Sequence, residues 1–422
     1  MARTYVIGAG MAGLSAAVEL TRQGHKVSLF EAAPQAGGRC RSYYDPKLDC
    51  EIDNGNHLLL SGNTSAAHYL KTIGAKDGLT GPNEAVFPFI DMRDGKRWDI
   101  RFSPSRVPFW LLNKSARVPD ASLAQHLALA KMLRAKESHV IADFIDTDNP
   151  LYERLIDPLS VAVINMPPET ASAKLMANVL KETILKGGKA CQPRLAKESL
   201  GQTFVEPALD YLATHNTAIT FGARLKSIDK NDGHIAALNF AKHTVDIRDG
   251  DQVIIALPPE PTGDILDFID APQTYSSIVN AHFKLDKPIN VDWAAPLIGL
   301  IGAAAQWVFI RSNIASITIS AGEAYLGETS DALAEKLWVE IAPLLDLDVS
   351  QIPPARIIKE KRATLAQTPA LEPQRPAATT PLRNLFLAGD WTDTALPATI
   401  EGAIRSGVTA ANHVTRSLKA RA

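Results

Sequence analysis

An α/β architecture is what this sequence predicts, on two observations. A buried strand, a glycine-rich turn and a helix follow one another within the first 24 residues. Short apolar runs of strand character then recur from residue 219 towards the C-terminus. In the first feature Gly8, Gly10 and Gly13 stand at GxGxxG spacing. Gly8 allows the tight turn, Gly10 lets a pyrophosphate approach the backbone, and Gly13 lets helix and strand pack closely; Ala12 stands at the helix start among them. The helical pattern runs over 12–23, Gly24 suits a C-cap, and 27–30 reads as a second strand. Glu31 ends that strand 23 positions after Gly8, where an acid binds ribose hydroxyls and disfavours a 2′-phosphate. The helix N-terminus adds free N–H groups and a positive dipole end. Strand, turn, helix and acid agree on a Rossmann-type dinucleotide-binding unit.

At 422 residues the chain exceeds one ordinary domain, which predicts two intertwined ones. A hydrophobic share of 46% and a charged share of 21% suit a large core. A net charge of −2 argues against general nucleic-acid binding. Cys40, Cys50 and Cys191 form no CxxC, and their odd number suits a reducing, cytoplasmic setting. The chain enters a strand by Tyr5, which leaves no room for a signal peptide. Residues 293–310 hold 18 positions without a charge, near the length of a spanning helix. Pro296, Gly299, Gly302 and Gln306 interrupt them, so two strands at about 296–301 and 305–311 are expected instead. No metal-ligand spacing occurs, and no metal is expected.

After Glu31, Gly37-Gly38-Arg39 suits a backbone passing beside a ligand, with Arg39 or Arg41 facing its phosphates. Asp53-Asn-Gly-Asn-His57 ends a short strand; it is either a structural turn or a loop against the cofactor. A helix is expected at 63–74 and strands around the Asp94-Gly95 turn. In 106–118, Phe109, Trp110, Leu111 and Leu112 lie between Arg106, Lys114 and Arg117. That composition suits peripheral membrane contact through 107–112, although a core segment or a channel wall is the commoner use of such a stretch. Helices near 122–137, 138–146, 151–164 and 169–186 make about 105–195 mainly helical. A β-meander follows over 221–248, then a buried parallel strand at 253–257. Strands at 274–284, 296–301, 306–311 and 315–320 suggest a larger mixed sheet, followed by a helix at 329–345. Residues 368–381, rich in Pro and Ala, read as a connector with little structure of its own. A strand ends at Gly389-Asp390, and a last helix is expected to start with Pro397 near its first position.

The N-terminal glycine motif with Glu31, the Gly37-Gly38-Arg39 segment and Leu387-Ala-Gly-Asp390 resemble the flavin-containing amine oxidase and phytoene desaturase superfamily. These motifs lie at both ends of the chain, so the resemblance spans its length. It implies non-covalent FAD, held by Gly8, Gly10, Ala12, Gly13, Glu31, Gly38, Arg39, Gly389 and Asp390. Ala398, Thr399 and Ile400, where the last helix begins, would face the flavin pyrimidine edge. It also implies a discontinuous FAD-binding domain, 1–75, 200–262 and 376–422. The substrate domain, 76–199 and 263–375, would be a mixed sheet with helices. Asp53-Asn-Gly-Asn-His57, Asn165-Met-Pro-Pro-Glu169, Gln306-Trp-Val-Phe309 and the stretch from Ala388 to Gly402 look like the squalene-associated FAD-dependent branch. Departures are Met166, where Thr is more usual, and Ile310, near which an acid or Asn is more usual.

That branch's characterised activity is reductive dehydroxylation of hydroxysqualene, which supplies squalene for bacterial hopanoid synthesis. The resemblance therefore implies an isoprenoid substrate, an outside electron donor, and a protein that is cytoplasmic or peripheral at the inner face of the cytoplasmic membrane. The chemistry needs a dry apolar tunnel and a proton donor at the leaving oxygen. His57 is the candidate donor, with Asp53 orienting it. Gln306, Trp307 and Phe309 are the tunnel candidates, Trp307 being equally suited to an ordinary core. A carotenoid-type desaturase or isomerase would use the same scaffold. A flavin-less isoprenoid carrier would not need Glu31, Arg39 and Asp390 together.

Overall fold

The structure, a computed structural model, describes residues 2–421. Its organising sheet is parallel, with strands in the order Ala218–Thr220, Lys26–Phe30, Arg3–Ile7, Gln252–Ile255 and Leu385–Leu387. Five strands from remote parts of the chain thus line up around the N-terminal one. The apolar run at 252–255 is buried throughout, as a strand flanked on both sides requires. Helix Met11–Arg22 lies along the last helix, Ile400–Arg421. Gly407 allows the close approach: a Cβ there would lie 2.2 Å from the Ala12 carbonyl oxygen. Ser15 Oγ completes the contact by donating to the Ile404 carbonyl at 2.8 Å.

A seven-stranded mixed sheet forms the second layer system, in the order Ala355–Leu365, Tyr275–Lys284, Ile314–Ser320, Trp307–Arg311, Leu297–Ile301, Ala85–Asp91 and Arg97–Phe102. Only Leu297–Ile301 and Ala85–Asp91 pair in parallel. The uncharged stretch is a hairpin within it, with Leu297 opposite Phe309 and Ile298 opposite Val308. Strand alternation divides its side chains between two cores. Val308 and Ile310 pack under helix Ser330–Ile341, whereas Trp307 and Phe309 face the region about 109–182. Among the described residues no helix is long and apolar enough to cross a membrane, and no His, Cys, Asp and Glu group could hold a metal.

Two expectations change. The region about 105–195 is less regular than its pattern predicts. Leu123–Ala128, Asp157–Ile164 and Ala173–Glu182 are α-helical, but Phe109–Leu112, Leu129–Arg134 and Ile141–Phe144 are 3₁₀ turns, and Tyr152–Ile156 is a π turn. Prolines at 104, 108, 119, 150, 158, 167 and 168 interrupt the hydrogen-bond ladder on either side of 120–149. The last helix begins at Ile400, not near Pro397. Thr399 is its cap: the hydroxyl accepts the Gly402 N–H at 3.1 Å.

Candidate active site

The N-terminal turn folds into a cradle. Gly8 has φ +105° and gives its N–H to the Phe30 carbonyl at 2.7 Å. A Cβ on Gly13 would lie 1.8 Å from the Gly8 carbonyl oxygen, so no other residue fits without moving the backbone. Gly10 is the opposite case, because a Cβ there meets nothing within 4 Å. Glu31 reaches back to the turn, its carboxylate accepting the N–H groups of Ala9 at 2.7 Å and Ala33 at 2.8 Å. The second glycine pair joins them: Gly37 N–H bonds the Ala9 carbonyl, and a Cβ on Gly38 would stand 3.3 Å from Gly10 Cα. Open space over Gly10, a fixed acid and a backbone lined by glycines suit a dinucleotide pyrophosphate and ribose.

Arg39 and Asp390 meet across 351 positions of sequence, one guanidinium nitrogen lying 2.7 Å from both carboxylate oxygens. The carboxylate raises the pKa of Arg39 above its ordinary value. Gly389 gives its N–H to Ser406 Oγ at 2.8 Å, and Trp391 Nε1 donates to the Leu257 carbonyl. The residue that shapes this loop is Arg375, which the sequence reading passes over inside its connector. Its buried guanidinium donates to the carbonyls of Asp390 (2.8 Å), Thr392 (3.0 Å) and Leu396 (2.8 Å), to Thr394 Oγ1 and to Glu372. The one signal available was charge: Glu372 and Arg375 are the only ionisable residues in 368–381. Burial raises the Glu372 carboxyl above its usual range, against the opposing charge of Arg375. A small cavity beside them is lined in part by Gln367, Asp390 and Ala398. Ala398 N–H donates to Gln367 Oε1 at 2.7 Å, so the approach to the last helix is tied to the substrate side of the chain.

The loop from Asp53 to His57 lies against the seven-stranded sheet. Asn56 Nδ2 donates to Thr318 Oγ1 at 3.1 Å, and a Cβ on Gly55 would stand 2.9 Å from Asn280 Nδ2. Asp53 and His57 form no hydrogen bond, which corrects the expectation that the first orients the second. Both Asp53 oxygens are engaged elsewhere, one by Ser42 Oγ (2.6 Å) and Leu200 N–H (2.9 Å), the other by Arg311 (2.8 Å). His57 is half-buried and has no hydrogen-bond partner among the described residues. Burial pulls its pKa down to about 4, with Asp53 opposing and Arg39 reinforcing the shift.

A second histidine, His282, stands in no sequence motif. His282 is buried on strand Tyr275–Lys284, with Nδ1 2.8 Å from Ser316 Oγ and Nε2 unpartnered. Burial lowers its pKa to about 4. Between pH 6.5 and 4 the unfolded chain therefore binds a proton that the folded one refuses, and stability falls as the pH falls. Over that window the loss is about 3 kcal/mol. His282→Asn keeps an amide near the Ser316 hydroxyl and removes the titration. Urea unfolding at pH 7 and pH 4.5 should show the difference between the two conditions shrinking by about 2 kcal/mol in the variant.

Of the tunnel candidates, Trp307 and Phe309 share one face. The Trp307 ring lies edge-on to Phe89 at 5.3 Å, and its indole N–H is buried without a partner. Gln306 does not join them, because its amide closes a pair of bonds with the Ser320 backbone at 2.8 and 3.0 Å. In the 107–112 segment Phe109 and Leu112 are 58% and 72% exposed. Leu111 is buried and Trp110 packs edge-on to Phe102 at 5.1 Å, so the segment divides between surface and interior.

Known proteins bear on this arrangement. The profile of the flavin-containing amine oxidoreductases matches residues 11–415. The chain belongs to that family. It is 43% identical to a protein of Rhodopseudomonas palustris named hydroxysqualene dehydroxylase, with 97% of each chain covered. It is 44% identical to one of the same name from Zymomonas mobilis, over 98% of this chain and 99% of that one. Among solved structures it resembles cyclohexylamine oxidase from Brevibacterium oxydans, with a TM-score of 0.69 and 99% of each chain covered; at 13% identity this likeness concerns the fold. The flavin family accounts for a dinucleotide cradle joined to an apolar mixed-sheet region, and the cradle's open side and fixed acid suit FAD.

Proposed function

We propose that this chain is an FAD-dependent hydroxysqualene dehydroxylase, removing the allylic hydroxyl of hydroxysqualene as water to leave squalene. The observation that carries this reading is full-length identity above 40% to two proteins of that name. Reduced FAD supplies the hydride; with the proton taken up by the hydroxyl, the balance is an alcohol, a hydride and a proton giving a hydrocarbon and water. An outside reductant returns two electrons per turnover.

Gly8, Gly10, Gly13 and Gly38 would leave room for the pyrophosphate, Glu31 would bind ribose, and Arg39 with Asp390 would hold the portion between ribose and ring. The backbone from Ala398 to Ile400 would face the ring edge at the start of the last helix. Segments 1–75, 200–262 and 376–422 contain all five strands of the parallel sheet, which supports them as the FAD-binding body, with 76–199 and 263–375 as the substrate body. Trp307, Phe309 and the apolar residues packed with them would keep water from an allylic cation. The unpartnered Trp307 N–H is free to meet the substrate hydroxyl.

His57 is proposed as the proton donor. With a pKa of about 4 it is neutral at pH 7, and the reactive imidazolium is a minor form that grows as the pH falls. Dehydroxylation by the reduced enzyme should therefore quicken on mild acidification. The test is anaerobic: reduce the purified holoprotein with dithionite, add hydroxysqualene, follow flavin absorbance and extract the lipids. Reoxidation matched by squalene is expected, with a rate roughly 100-fold lower in His57→Ala that still holds FAD. Near-normal turnover in that variant removes His57 from the reaction. Absence of squalene, with a carotenoid precursor oxidised instead, moves the function to a desaturase.

A further inference from the structure

We propose that the face built from residues 102–119, 121–136 and 183–190 docks on an anionic phospholipid bilayer, and that the isoprenoid enters the protein through it. This rests on the isoprenoid reading above, since a long hydrocarbon must be collected from lipid rather than from water. Three chain segments meet there. Gly188 N–H bonds the Ser103 carbonyl at 2.8 Å, and the Trp110 ring lies edge-on to His126 at 6.0 Å. Each segment presents an exposed apolar side chain: Phe109 and Leu112 from the first, Leu127 from the second and Leu185 from the third.

Charge selects the partner. The three segments hold eight Lys or Arg and no Asp or Glu, in a chain whose net charge is −2. None of those eight cations enters an ion pair among the described residues. Three acids border the segments: Asp120 pairs with Lys96 and Arg154, Glu182 pairs with Arg405, and Glu137 alone has no ion pair among the described residues, one charge against eight. Exposed apolar side chains among unpaired cations suit an interface of acyl chains and anionic headgroups, where each basic residue adds to the attraction. A second copy of the chain is a poor occupant, because a two-fold contact would set the same cations against each other.

The interior behind the face gives the docking a purpose. Trp110 touches Phe102 at 5.1 Å, and Phe102 touches Phe87 at 6.0 Å. Two residues along the same strand, Phe89 touches Trp307 at 5.3 Å. An apolar line thus runs from the exposed patch to the proposed tunnel.

The experiment is flotation of the FAD-loaded protein with vesicles and no isoprenoid present. Vesicles of phosphatidylethanolamine with phosphatidylglycerol should bind it at least about tenfold more tightly than phosphatidylcholine vesicles, and added salt should release it. The double variant Phe109→Ser with Leu112→Ser should bind about tenfold more weakly while keeping its flavin spectrum, melting temperature and turnover on detergent-dispersed substrate. Lys131→Glu with Arg134→Glu should lose the preference for anionic lipid. Equal binding to both vesicle types, or a double variant that binds like the parent, overturns the proposal. So does a concentration-dependent dimer abolished by the same substitutions. Because no substrate is present, failure here leaves the dehydroxylase reading standing, and failure of that reaction leaves vesicle binding to be read separately.

Discussion

Gly10→Ala should release FAD without disturbing the fold, whereas Gly13→Ala should damage both. The two glycines lie three positions apart in one motif, yet their surroundings differ. A methyl on Gly13 would stand 1.8 Å from the Gly8 carbonyl oxygen and 3.3 Å from Ala256 Cβ. That overlap lies within the protein, so it persists with or without a cofactor. Moving the turn away from the helix should cost about 3 kcal/mol or more in unfolding of the apoprotein. A methyl on Gly10 touches no protein atom within 4 Å, and the apoprotein of that variant should unfold at the parent's urea midpoint. If the pyrophosphate passes over Gly10, the same methyl occupies its path, and FAD affinity should fall on the order of 100-fold, about 2.7 kcal/mol. Flavin fluorescence titration reads the affinity. A Gly10→Ala protein that binds FAD like the parent would show that the cofactor takes another route across the turn.

The contrast shows what kind of information was legible in the sequence. The cradle could be read because its parts are local: a turn, a helix start and an acid at the end of the next strand answer to short-range rules. The hairpin at 297–311 was legible for a related reason, since glycine and proline interrupt an apolar run at strand length. Strand Ala355–Leu365 was not. It lies at the sheet edge and exposes Lys361 and Arg362, so its alternation is masked by the charges that edge strands carry. The Asp53 error has the same origin. Spacing put Asp53 near His57, but Arg311, 258 positions away, and Leu200, 147 away, claimed its oxygens. His282 and Arg375 were invisible because their importance lies in burial and distant partners, neither of which has a local pattern.

Arg375→Ala should produce the largest loss among the side chains around Asp390, and the reason can be separated into two parts. The guanidinium satisfies three carbonyls of the 390–396 loop together with the Thr394 hydroxyl, and it balances the partly buried Glu372. Removing one partner of such an arrangement costs about 3–5 kcal/mol, because the remaining groups keep their burial and lose their bonds. The loop carries Asp390 and leads to Ala398, so the variant should also purify without its yellow colour. Arg375→Lys should be nearly as poor: one ammonium cannot serve carbonyls spread around a planar fork. Adding Glu372→Gln to Arg375→Ala divides the defect. Relief of the unbalanced carboxylate should return about 1–2 kcal/mol in urea unfolding, while the unpaired carbonyls keep FAD weakly bound. Recovery of FAD binding in the double variant would mean that charge balance, and not the shape of the loop, is what Arg375 provides. Since burial raises the Glu372 pKa, the single variant should lose stability as the pH rises above the ordinary carboxylate range, and the double variant should lose that dependence.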